Sequence, residues 1–318
     1  MENNPSFFKK WWICIRPFAL PASTMPVIFG TVLAVTYGNY AFKPGLFVLA
    51  LLAMVILHSG ANILSDVFDF KKGLDKEPNP VSGGVVRGII TQKEALRASA
   101  ILIITGVSLG LLLTYLVGIW LLLIGIGGVL MGIFYTTETR LSLKYHGLGD
   151  LAVFLNFGIL GALGSWYVQA GELSWIPVIW TIPMATLVIA ILHANNWRDI
   201  SSDTEGKIRT MASILGDKGS QAYYGFLIFG PFVLILLFIF LPLLLFKSIP
   251  AMPLTFLLTL LALPLAIKLW RLAKKRKTSK NPMDFIVLDG KTAQFNLQFG
   301  ALCTLAMLAN LLITHLTV

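Results

Sequence analysis

Long uncharged apolar runs constrain the fold of this 318-residue chain more than any other feature. A helix needs roughly 20 apolar residues to cross the hydrocarbon core of a bilayer. Seven single runs meet this requirement: 17–42, 44–65, 151–171, 173–197, 219–246, 248–267 and 292–318. An eighth run, 98–137, is about twice the length that one span needs and contains Gly118 near its middle. With that run divided at Gly118, the pattern predicts an all-α polytopic membrane protein with nine transmembrane helices.

Composition supports a membrane protein rather than a soluble one. Hydrophobic residues make up 56% of the chain and charged residues 13%, whereas about a quarter of the residues in soluble domains are charged. Because a bundle of spans uses the whole length, we expect one transmembrane domain over residues 1–318, with a short cytoplasmic segment at 1–16. Cys14 and Cys303 have no spacing typical of a disulfide or zinc framework.

The distribution of basic residues predicts the orientation. With nine spans and a cytoplasmic N-terminus, 23 of the 25 Lys and Arg residues fall on the cytoplasmic side, and only Lys43 and Lys247 fall outside. Such a bias is typical of cytoplasmic loops. The net charge of +10 therefore reflects topology, and no nucleic-acid partner is predicted. We interpret the run "RLAKKRK" (271–277) as part of this anchor, with binding to anionic lipid as the alternative.

Acidic residues share this asymmetry, although they contribute little to topology. Of the 15 Asp and Glu residues, Glu172 alone lies on the predicted outer side. A first acidic cluster lies in "ANILSDVFDFKKGLD" (61–75). If the second span continues as a helix, Asn62, Asp66 and Asp69 at i, i+4 and i+7 share one face. Gly73 then ends the helix, and Asp75 follows in the loop.

A second acidic cluster lies in "HANNWRDISSDTEGKIRT" (193–210). Asn195, Asp199 and Asp203 are spaced by four residues, and Asn196 and Arg198 lie beside them. Both clusters therefore present amide and carboxylate oxygens along a stripe at the cytoplasmic end of a span. Polar groups at this depth are costly and are a functional hypothesis by default.

Oxygen ligands without cysteine or paired histidine suit Mg2+ better than Zn2+. Two facing acidic clusters repel one another unless cations lie between them, and nearby bases would then meet phosphate oxygens. The available bases are Lys71, Lys72, Arg140, Lys144, Arg198, Lys207 and Arg209. The pattern favours a dimetal diphosphate site, with ordinary solvated loop acids as the alternative.

Together these motifs resemble the UbiA superfamily of intramembrane aromatic prenyltransferases. "RPFALPASTMPVIFG" (16–30) is similar to the family's opening Arg-Pro helix, and "TAQFNLQFGALC" (292–303) resembles its last helix. "DFKKGLD" (69–75) and "NNWRDISSD" (195–203) resemble its two aspartate motifs, and "YTTETRLSLKYHGLGD" (135–150) resembles its loop after the fourth span. The motifs are most similar to the branch of 1,4-dihydroxy-2-naphthoate polyprenyltransferases, which act in menaquinone biosynthesis.

The resemblance implies nine helices around a central cavity, with Mg2+ as cofactor. It implies transfer of a polyprenyl group from an isoprenyl diphosphate to an aromatic small molecule, by Mg2+-assisted ionisation of the diphosphate. With 1,4-dihydroxy-2-naphthoate the product would be demethylmenaquinone. The implied setting is the cytoplasmic (inner) membrane of a prokaryote, with membrane lipid around the chain, the site facing the cytoplasm and no obligate protein partner.

The resemblance also assigns roles to residues. The implied catalytic residues are Asp66, Asp69, Asp199 and Asp203. The implied metal ligands are these four with Asp75 and Asn62. The implied substrate-binding residues are Arg16, Lys72, Tyr135, Lys144, Tyr145, Asp150, Asn195, Asn196, Arg198, Lys207 and Arg209.

Two positions depart from the family pattern. The family usually has asparagine four residues before the position of Asp69, where this chain has Ser65. After Asp203, Ile208 stands where many members have lysine, with Lys207 and Arg209 on either side. The make-up of the metal site and the choice of phosphate-binding base therefore stay open.

Other functions remain as alternatives. Related families use 4-hydroxybenzoate, homogentisate, haem or a glycerol phosphate as acceptor. A secondary transporter is a competing class, but transporters place binding groups near the midplane on broken helices, and the span centres here are uncharged. A membrane alcohol phosphotransferase is a third reading, since "DGKTA" (289–293) starts like its motif, but the rest of that motif is missing.

Overall fold

The computed structural model describes residues 5–73, 82–136, 142–245, 249–276 and 286–316. Within these ranges the regular secondary structure is helical, apart from one isolated bridge between His146 and Arg209. The first five α-helices are α1 (Phe7–Ile15), α2 (Pro21–Thr36), α3 (Pro44–Lys71), α4 (Gln92–Val117) and α5 (Ile119–Thr136). The others are α6 (Gly149–Val153), α7 (Gly161–Ala170), α8 (Ile176–Trp180), α9 (Ile182–Arg198), α10 (Ile200–Glu205), α11 (Met211–Leu245), α12 (Leu263–Ala273) and α13 (Leu288–Leu316).

Shorter helical segments connect several of these elements. A π-helical segment, Phe154–Leu160, joins α6 to α7. Segments of 3-10 helix cover Pro17–Ala19, Leu143–Tyr145 and Leu254–Ala262. The last of these runs directly into α12, so the two form one continuous rod.

Six helical segments of the described ranges are long and apolar enough to cross a membrane. A seventh span results if 7–19 and 21–36, which meet at an angle of 59°, are counted together. The fourth and sixth predicted spans coincide with shorter helices: α5 has 18 residues, and α9 has 17 and is separated from α8 at Thr181. The number of nine spans and the orientation of the N-terminus stay predictions.

Several helix ends agree with the sequence analysis. The long apolar run divides at Gly118, whose φ of 122° is open to glycine but strained for other residues. The second predicted span continues as α3 through Asp66 and Asp69, and Gly73 follows its end with a φ of 66°. Asn62, Asp66 and Asp69 therefore occupy one helical face, as their spacing predicts.

The second acidic cluster is divided between two helices. Helix α9 ends at Arg198, Asp199 is the residue at its C-terminal cap, and α10 starts at Ile200. The backbone of Asp199 leaves the helical region, with φ −96° and ψ 13°. Asp203 consequently lies on a separate short helix.

Helix packing brings distant segments to the acidic clusters. Helix α13 packs on α2 and α9, α9 packs on α11, and α3 packs on α4. A large apolar cluster includes Phe29, Trp197, Tyr224, Phe256 and Phe299, each contributed by a different segment. Because Trp197 belongs to this core, the end of α9 is held by the body of the bundle.

A smaller apolar cluster supports the first acidic cluster. Cys14 of α1 packs with Ile63 and Val67 of α3 and with Val85 and Ile90 of the following loop. The loop 82–90 and the end of α1 therefore both lie against the face of α3 that carries Asp66.

Candidate active site

Asp66 lies in a closed environment at the end of α3. It is 2% exposed, and its Oδ2 accepts a hydrogen bond from the backbone N–H of Val85 at 2.8 Å. Arg16 Nη2 lies 3.9 Å from Oδ1. Oδ1 accepts no hydrogen bond within the described residues. The negative charge on Asp66 Oδ1 is thus compensated only by the guanidinium of Arg16, which is too far away for a hydrogen bond.

Asn62 secures the chain segment that carries Arg16. Its Nδ2 donates to the backbone oxygen of Ile15 at 3.0 Å, one residue before Arg16. Arg16 itself has a φ of 51°, in the left-handed region, so the chain turns sharply there. The amide group of Asn62 therefore positions Arg16 beside Asp66, whereas its predicted role as a metal ligand stays a prediction.

Asp69 forms the closest ion pair of the first acidic cluster. Lys144 Nζ lies 2.5 Å and 2.7 Å from its two carboxylate oxygens. Ser65 Oγ donates to Asp69 Oδ2 at 3.3 Å, and Tyr145 OH donates to Oδ1 at 3.4 Å. The residue that departs from the family pattern, Ser65, thus still supports Asp69. The ammonium of Lys72 lies 3.5 Å from the centre of the Tyr145 ring, a cation–π contact.

The Lys144 ammonium is held in its charged form. Burial by itself lowers the pKa of Lys144, but the charge of Asp69, together with Tyr135 and Tyr145, outweighs it and raises the pKa above its ordinary value. Lys144 belongs to the loop after α5, so this loop is tied to the end of α3 by an ion pair.

The guanidinium of Arg198 joins two carboxylates. Its Nε and Nη2 donate to the two oxygens of Asp199 at 2.9 Å and 2.7 Å. Its Nη1 donates to Asp289 Oδ2 at 2.7 Å. Asn195 Nδ2 donates to the same oxygen of Asp289 at 3.3 Å, and Asn196 beside it is 7% exposed. Two residues of the second acidic cluster, Asn195 and Arg198, are therefore held by Asp289 of α13.

Asp203 connects the two clusters electrostatically. It is 8% exposed, and Thr210 Oγ1 donates to its Oδ2 at 3.3 Å. Burial, together with the charges of Asp199 and Asp69, raises the pKa of Asp203 to about 7 and outweighs the lowering effect of Lys144. Because charges from both clusters act on Asp203, the ends of α3 and α9 share one neighbourhood.

A backbone contact between two loops explains this proximity. The N–H of Arg209 donates to the carbonyl oxygen of Tyr145 at 3.2 Å, next to the bridge between His146 and Arg209. The loop that supplies Lys144 to Asp69 is thereby joined to the loop that follows Asp203. Lys207 and Arg209 are exposed, whereas Ile208 between them is 5% exposed.

Two further predicted residues lie in helices next to these loops: Asp150 in α6 and Tyr135 near the end of α5. Asp150 is 6% exposed, and its Oδ2 accepts a hydrogen bond from Tyr223 OH at 3.1 Å. Tyr135 packs against Ala22, Val153 and Val188. Asp75 and Arg140 lie outside the described residues. The other predicted residues fall at one end of the bundle.

The comparison with known proteins identifies the family. Residues 23–288 match the UbiA prenyltransferase family. This chain belongs to that family. A solved structure of a UbiA homolog from Aeropyrum pernix K1 has the same fold, with a TM-score of 0.66 and 15% identity over 91% of this chain and 97% of that one. A second, from Archaeoglobus fulgidus and bound to GPP and Mg2+, has a TM-score of 0.57 and 13% identity over 92% and 99% of the two chains.

Two curated members of the UbiA family are more similar in sequence. The 1,4-dihydroxy-2-naphthoate octaprenyltransferase of Escherichia coli is 34% identical over 245 residues, which cover 74% of this chain and 78% of that protein. The UbiA prenyltransferase domain-containing protein 1 homolog of Drosophila melanogaster is 33% identical over 234 residues, 72% of this chain. The match spans 64% of the fly protein, slightly less than two thirds of its length.

The acidic end of this UbiA family member fits a divalent cation in its chemistry. Within the described residues, no three His, Cys, Asp or Glu side chains converge to hold a metal ion. The acids instead face bases, and two of them are incompletely compensated: Asp66 Oδ1 accepts no hydrogen bond and lies 3.9 Å from Arg16 Nη2, and the pKa of Asp203 is raised by burial and then by the charges of Asp199 and Asp69. Carboxylate oxygens are the ligands that Mg2+ prefers. A bound cation would compensate the charge of Asp66 and would favour the ionised form of Asp203.

Asp289, Asp217 and Arg276 are the site residues that the sequence analysis missed. Asp217 Oδ1 accepts from Trp197 Nε1 at 2.9 Å and from Arg276 Nε at 2.7 Å, and Arg276 Nη2 reaches the backbone oxygen of Arg198 at 3.4 Å. For Asp289, the usable signal was an acid in the first turn of a long apolar span on the acidic side. For the other two, no spacing pattern links positions 59 residues apart.

Proposed function

We propose that this chain transfers a polyprenyl group from an isoprenyl diphosphate to an aromatic acceptor, and that the acceptor is 1,4-dihydroxy-2-naphthoate. The observation that carries the proposal is the meeting of two loops: the loop whose Lys144 pairs with Asp69 is joined through Tyr145 and Arg209 to the loop that follows Asp203, so the carboxylate-bearing ends of α3 and α9 lie together. A diphosphate with its metal ions is the ligand whose charge such a cluster complements.

In this proposal four carboxylates, those of Asp66, Asp69, Asp199 and Asp203, hold Mg2+ together with Asp75. The bound ion would neutralise charge that develops on the leaving diphosphate. Arg16 and Lys144 lie beside the carboxylates and supply further positive charge at the same place. Donors fixed before the reaction stabilise developing charge more effectively than mobile water does.

The apolar interior of the helix bundle would bind the prenyl chain of the substrate. The bond between the prenyl carbon and the diphosphate oxygen breaks, and the resulting allylic cation is attacked by an electron-rich ring carbon. With 1,4-dihydroxy-2-naphthoate, that ring position loses its carboxylate as CO2. An apolar surrounding keeps water from the cation, and each buried CH2 of the prenyl chain contributes about 0.8 kcal/mol to binding.

The choice of acceptor rests on sequence similarity. The Escherichia coli relative carries the name of a 1,4-dihydroxy-2-naphthoate octaprenyltransferase, and "LKYHGLGD" (143–150) is similar to that branch. The Drosophila relative has a name without an acceptor. Homogentisate and 4-hydroxybenzoate are therefore the acceptors to compare.

The test is an acceptor panel with the purified chain. One isotope-labelled prenyl diphosphate is incubated with each acceptor, with Mg2+ or with EDTA, and products and released pyrophosphate are measured by mass spectrometry and a colorimetric assay. We expect demethylmenaquinol, which air oxidises to demethylmenaquinone during work-up, and CO2 with 1,4-dihydroxy-2-naphthoate and Mg2+ only. If product formed only with another acceptor, the proposal of 1,4-dihydroxy-2-naphthoate as acceptor would be overturned. Uptake into vesicles without pyrophosphate release would support a transporter instead.

A further inference from the structure

Asp289 is a buried carboxylate that the proposed reaction does not use directly. It is 3% exposed and lies in the first turn of α13. Oδ1 accepts from the backbone N–H of Gly290 at 2.8 Å, and Oδ2 accepts from Arg198 Nη1 at 2.7 Å and Asn195 Nδ2 at 3.3 Å. Both carboxylate oxygens therefore already accept from protein donors, which favours a supporting role over contact with substrate.

Arg198 transmits this contact to the second acidic cluster. Its guanidinium is planar, so the three nitrogens that meet Asp199 and Asp289 lie in one plane and orient each other. A bidentate pair fixes the direction as well as the distance of a carboxylate. The direction of the Asp199 carboxylate thus depends on where Asp289 holds Nη1.

The three charges also set how strongly Asp199 attracts a cation. With Asp289 ionised, one positive guanidinium is shared between two carboxylates, and one negative charge remains over the group. With a neutral residue at 289, the guanidinium would neutralise Asp199 alone. Removing Asp289 should consequently both misdirect Asp199 and weaken its attraction for Mg2+.

The backbone around Arg198 is held by other contacts. Its carbonyl oxygen accepts from Arg276 Nη2 at 3.4 Å, and the neighbouring Trp197 lies in the apolar core with its Nε1 bonded to Asp217. The end of α9 is therefore secured without Asp289. A change at 289 acts on the guanidinium and leaves the helix end in place.

We infer that Asp289 is a positioning residue of the metal site, acting through Arg198 on Asp199. This inference rests on the proposed function, because it assumes that Asp199 binds Mg2+. The first turn of α13 then contributes to the metal site, although Asp199 lies 90 residues before Asp289 in the chain.

The test measures metal binding without turnover. Mn2+ with inorganic pyrophosphate is titrated into detergent-solubilised wild type, Asp289→Asn and Asp289→Glu, and free Mn2+ is followed by electron paramagnetic resonance. We expect Mn2+ affinity to fall about 10- to 100-fold in Asp289→Asn, the usual cost of losing a partner behind a metal ligand. Asp289→Glu keeps the charge and should restore most of the affinity.

Glu94→Gln is the matched control. Glu94 also lies in the first turn of a helix and also pairs with a base, Lys10, but its side-chain partners, Lys10 and Thr91, do not belong to the acidic clusters. Its loss should leave Mn2+ affinity unchanged. Thermal unfolding is measured for each variant, and Asp289→Ser replaces Asp289→Asn if the latter yields little folded protein.

A double-mutant cycle identifies the route. Arg198→Lys removes the bidentate pair, so adding Asp289→Asn to it should produce little further loss of Mn2+ affinity. Additive losses, or wild-type affinity in Asp289→Asn, would overturn the inference while the proposed function stands. Absence of Mn2+ binding in the wild type would overturn both.

Discussion

Three of the four described carboxylates proposed to bind metal lie beside a base in this structure. Arg16 faces Asp66, Lys144 faces Asp69, and Arg198 faces Asp199. Buried carboxylates in an apolar protein are costly unless a positive charge compensates them. In the absence of substrate these bases provide that charge. In the proposed function, Arg16 and Lys144 would turn to the diphosphate oxygens when the metal diphosphate binds, whereas Arg198 would stay paired with Asp199.

Replacing Lys144 by methionine should therefore lower stability more without metal than with it. Without Mg2+, Asp69 loses its ion-pair partner; removing one member of a fully buried pair costs about 3–5 kcal/mol, an upper bound because both side chains are partly exposed here. With Mg2+ and pyrophosphate, the cation replaces the lost charge and should recover part of the stability.

The measurement is thermal unfolding of wild type and Lys144→Met in detergent, with EDTA or with Mg2+ and pyrophosphate. Lys93→Met removes an exposed lysine of α4 and serves as the control. Equal unfolding temperatures of Lys144→Met and wild type in EDTA would contradict a stabilising role for the ion pair.

At the scale of elements, the loop 82–90 closes over the first acidic cluster because two glycines allow it. A Cβ on Gly83 would collide with the carboxylate of Asp66, and one on Gly84 would collide with Cys14 Sγ. The absence of side chains lets the loop backbone approach Asp66, so that the N–H of Val85 can donate to it. Close approach, rather than a special φ, is the reason for these glycines.

Gly83→Ala should displace either this loop or Asp66. Overpacking of this kind typically costs about 1–3 kcal/mol, and we expect prenyl transfer to fall together with the unfolding temperature. Gly110→Ala is the control, since a Cβ there meets no atom within 4 Å and alanine favours a helix. Full activity and unchanged stability in Gly83→Ala would show that the loop can move away without consequence.

The basic run "RLAKKRK" contains residues with different roles. The side chain of Arg276 is 2% exposed and bonded to Asp217 and to the backbone of Arg198. Lys274 is exposed and lies 5.1 Å from the centre of the Trp270 ring. The interpretation of the run as a membrane anchor therefore does not describe Arg276, which connects the end of α12 to the end of α9.

Arg276→Ala and Lys274→Ala separate these roles. The first removes charge-assisted hydrogen bonds to Asp217 and should lower stability by about 1.5–3 kcal/mol, with reduced prenyl transfer; the second should change both little. Chemical unfolding and product formation are measured side by side. Equal effects of the two substitutions would restore the anchor interpretation for the whole run.

At the scale of the molecule, the bundle has two chemically distinct ends. Helix α3 starts next to Lys43 and ends near Asp69, about 42 Å apart for 28 residues at 1.5 Å each. At the first end, Lys43 N donates to Gln169 Oε1, and Tyr40 bonds to Glu172. At the second lie the acidic clusters and Arg276. This division agrees with the charge bias in the sequence, which assigns the second end to the cytoplasm.

Labelling of single cysteines tests that orientation. Cys14 and Cys303 are buried, so they give little background reaction. With a membrane-impermeant maleimide, Glu172→Cys should react in intact cells, whereas Lys275→Cys should react only after the membrane is permeabilised. The reverse pattern would place the acidic clusters outside the cytoplasm.

Local order was predictable from sequence because it depends on neighbours. Apolar runs indicated helices, Gly118 and Gly73 indicated their ends, and the i, i+4, i+7 spacing placed Asn62, Asp66 and Asp69 on one face. In the second acidic cluster the helix is divided at Asp199, although i to i+4 backbone hydrogen bonds still link Asn195, Asp199 and Asp203. A spacing rule does not contain this change of backbone angle at Asp199.

Contacts between distant segments were decided by the tertiary structure alone. Lys144 meets Asp69 across 75 residues, Arg198 meets Asp289 across 91, and Arg276 meets Asp217 across 59. Helical periodicity carries information over a few turns only, so it specifies which face a residue occupies and not what faces it. The sequence by itself determined which ends of the helices are acidic; the packing of the bundle decided which base, and which further acid, stands against each of them.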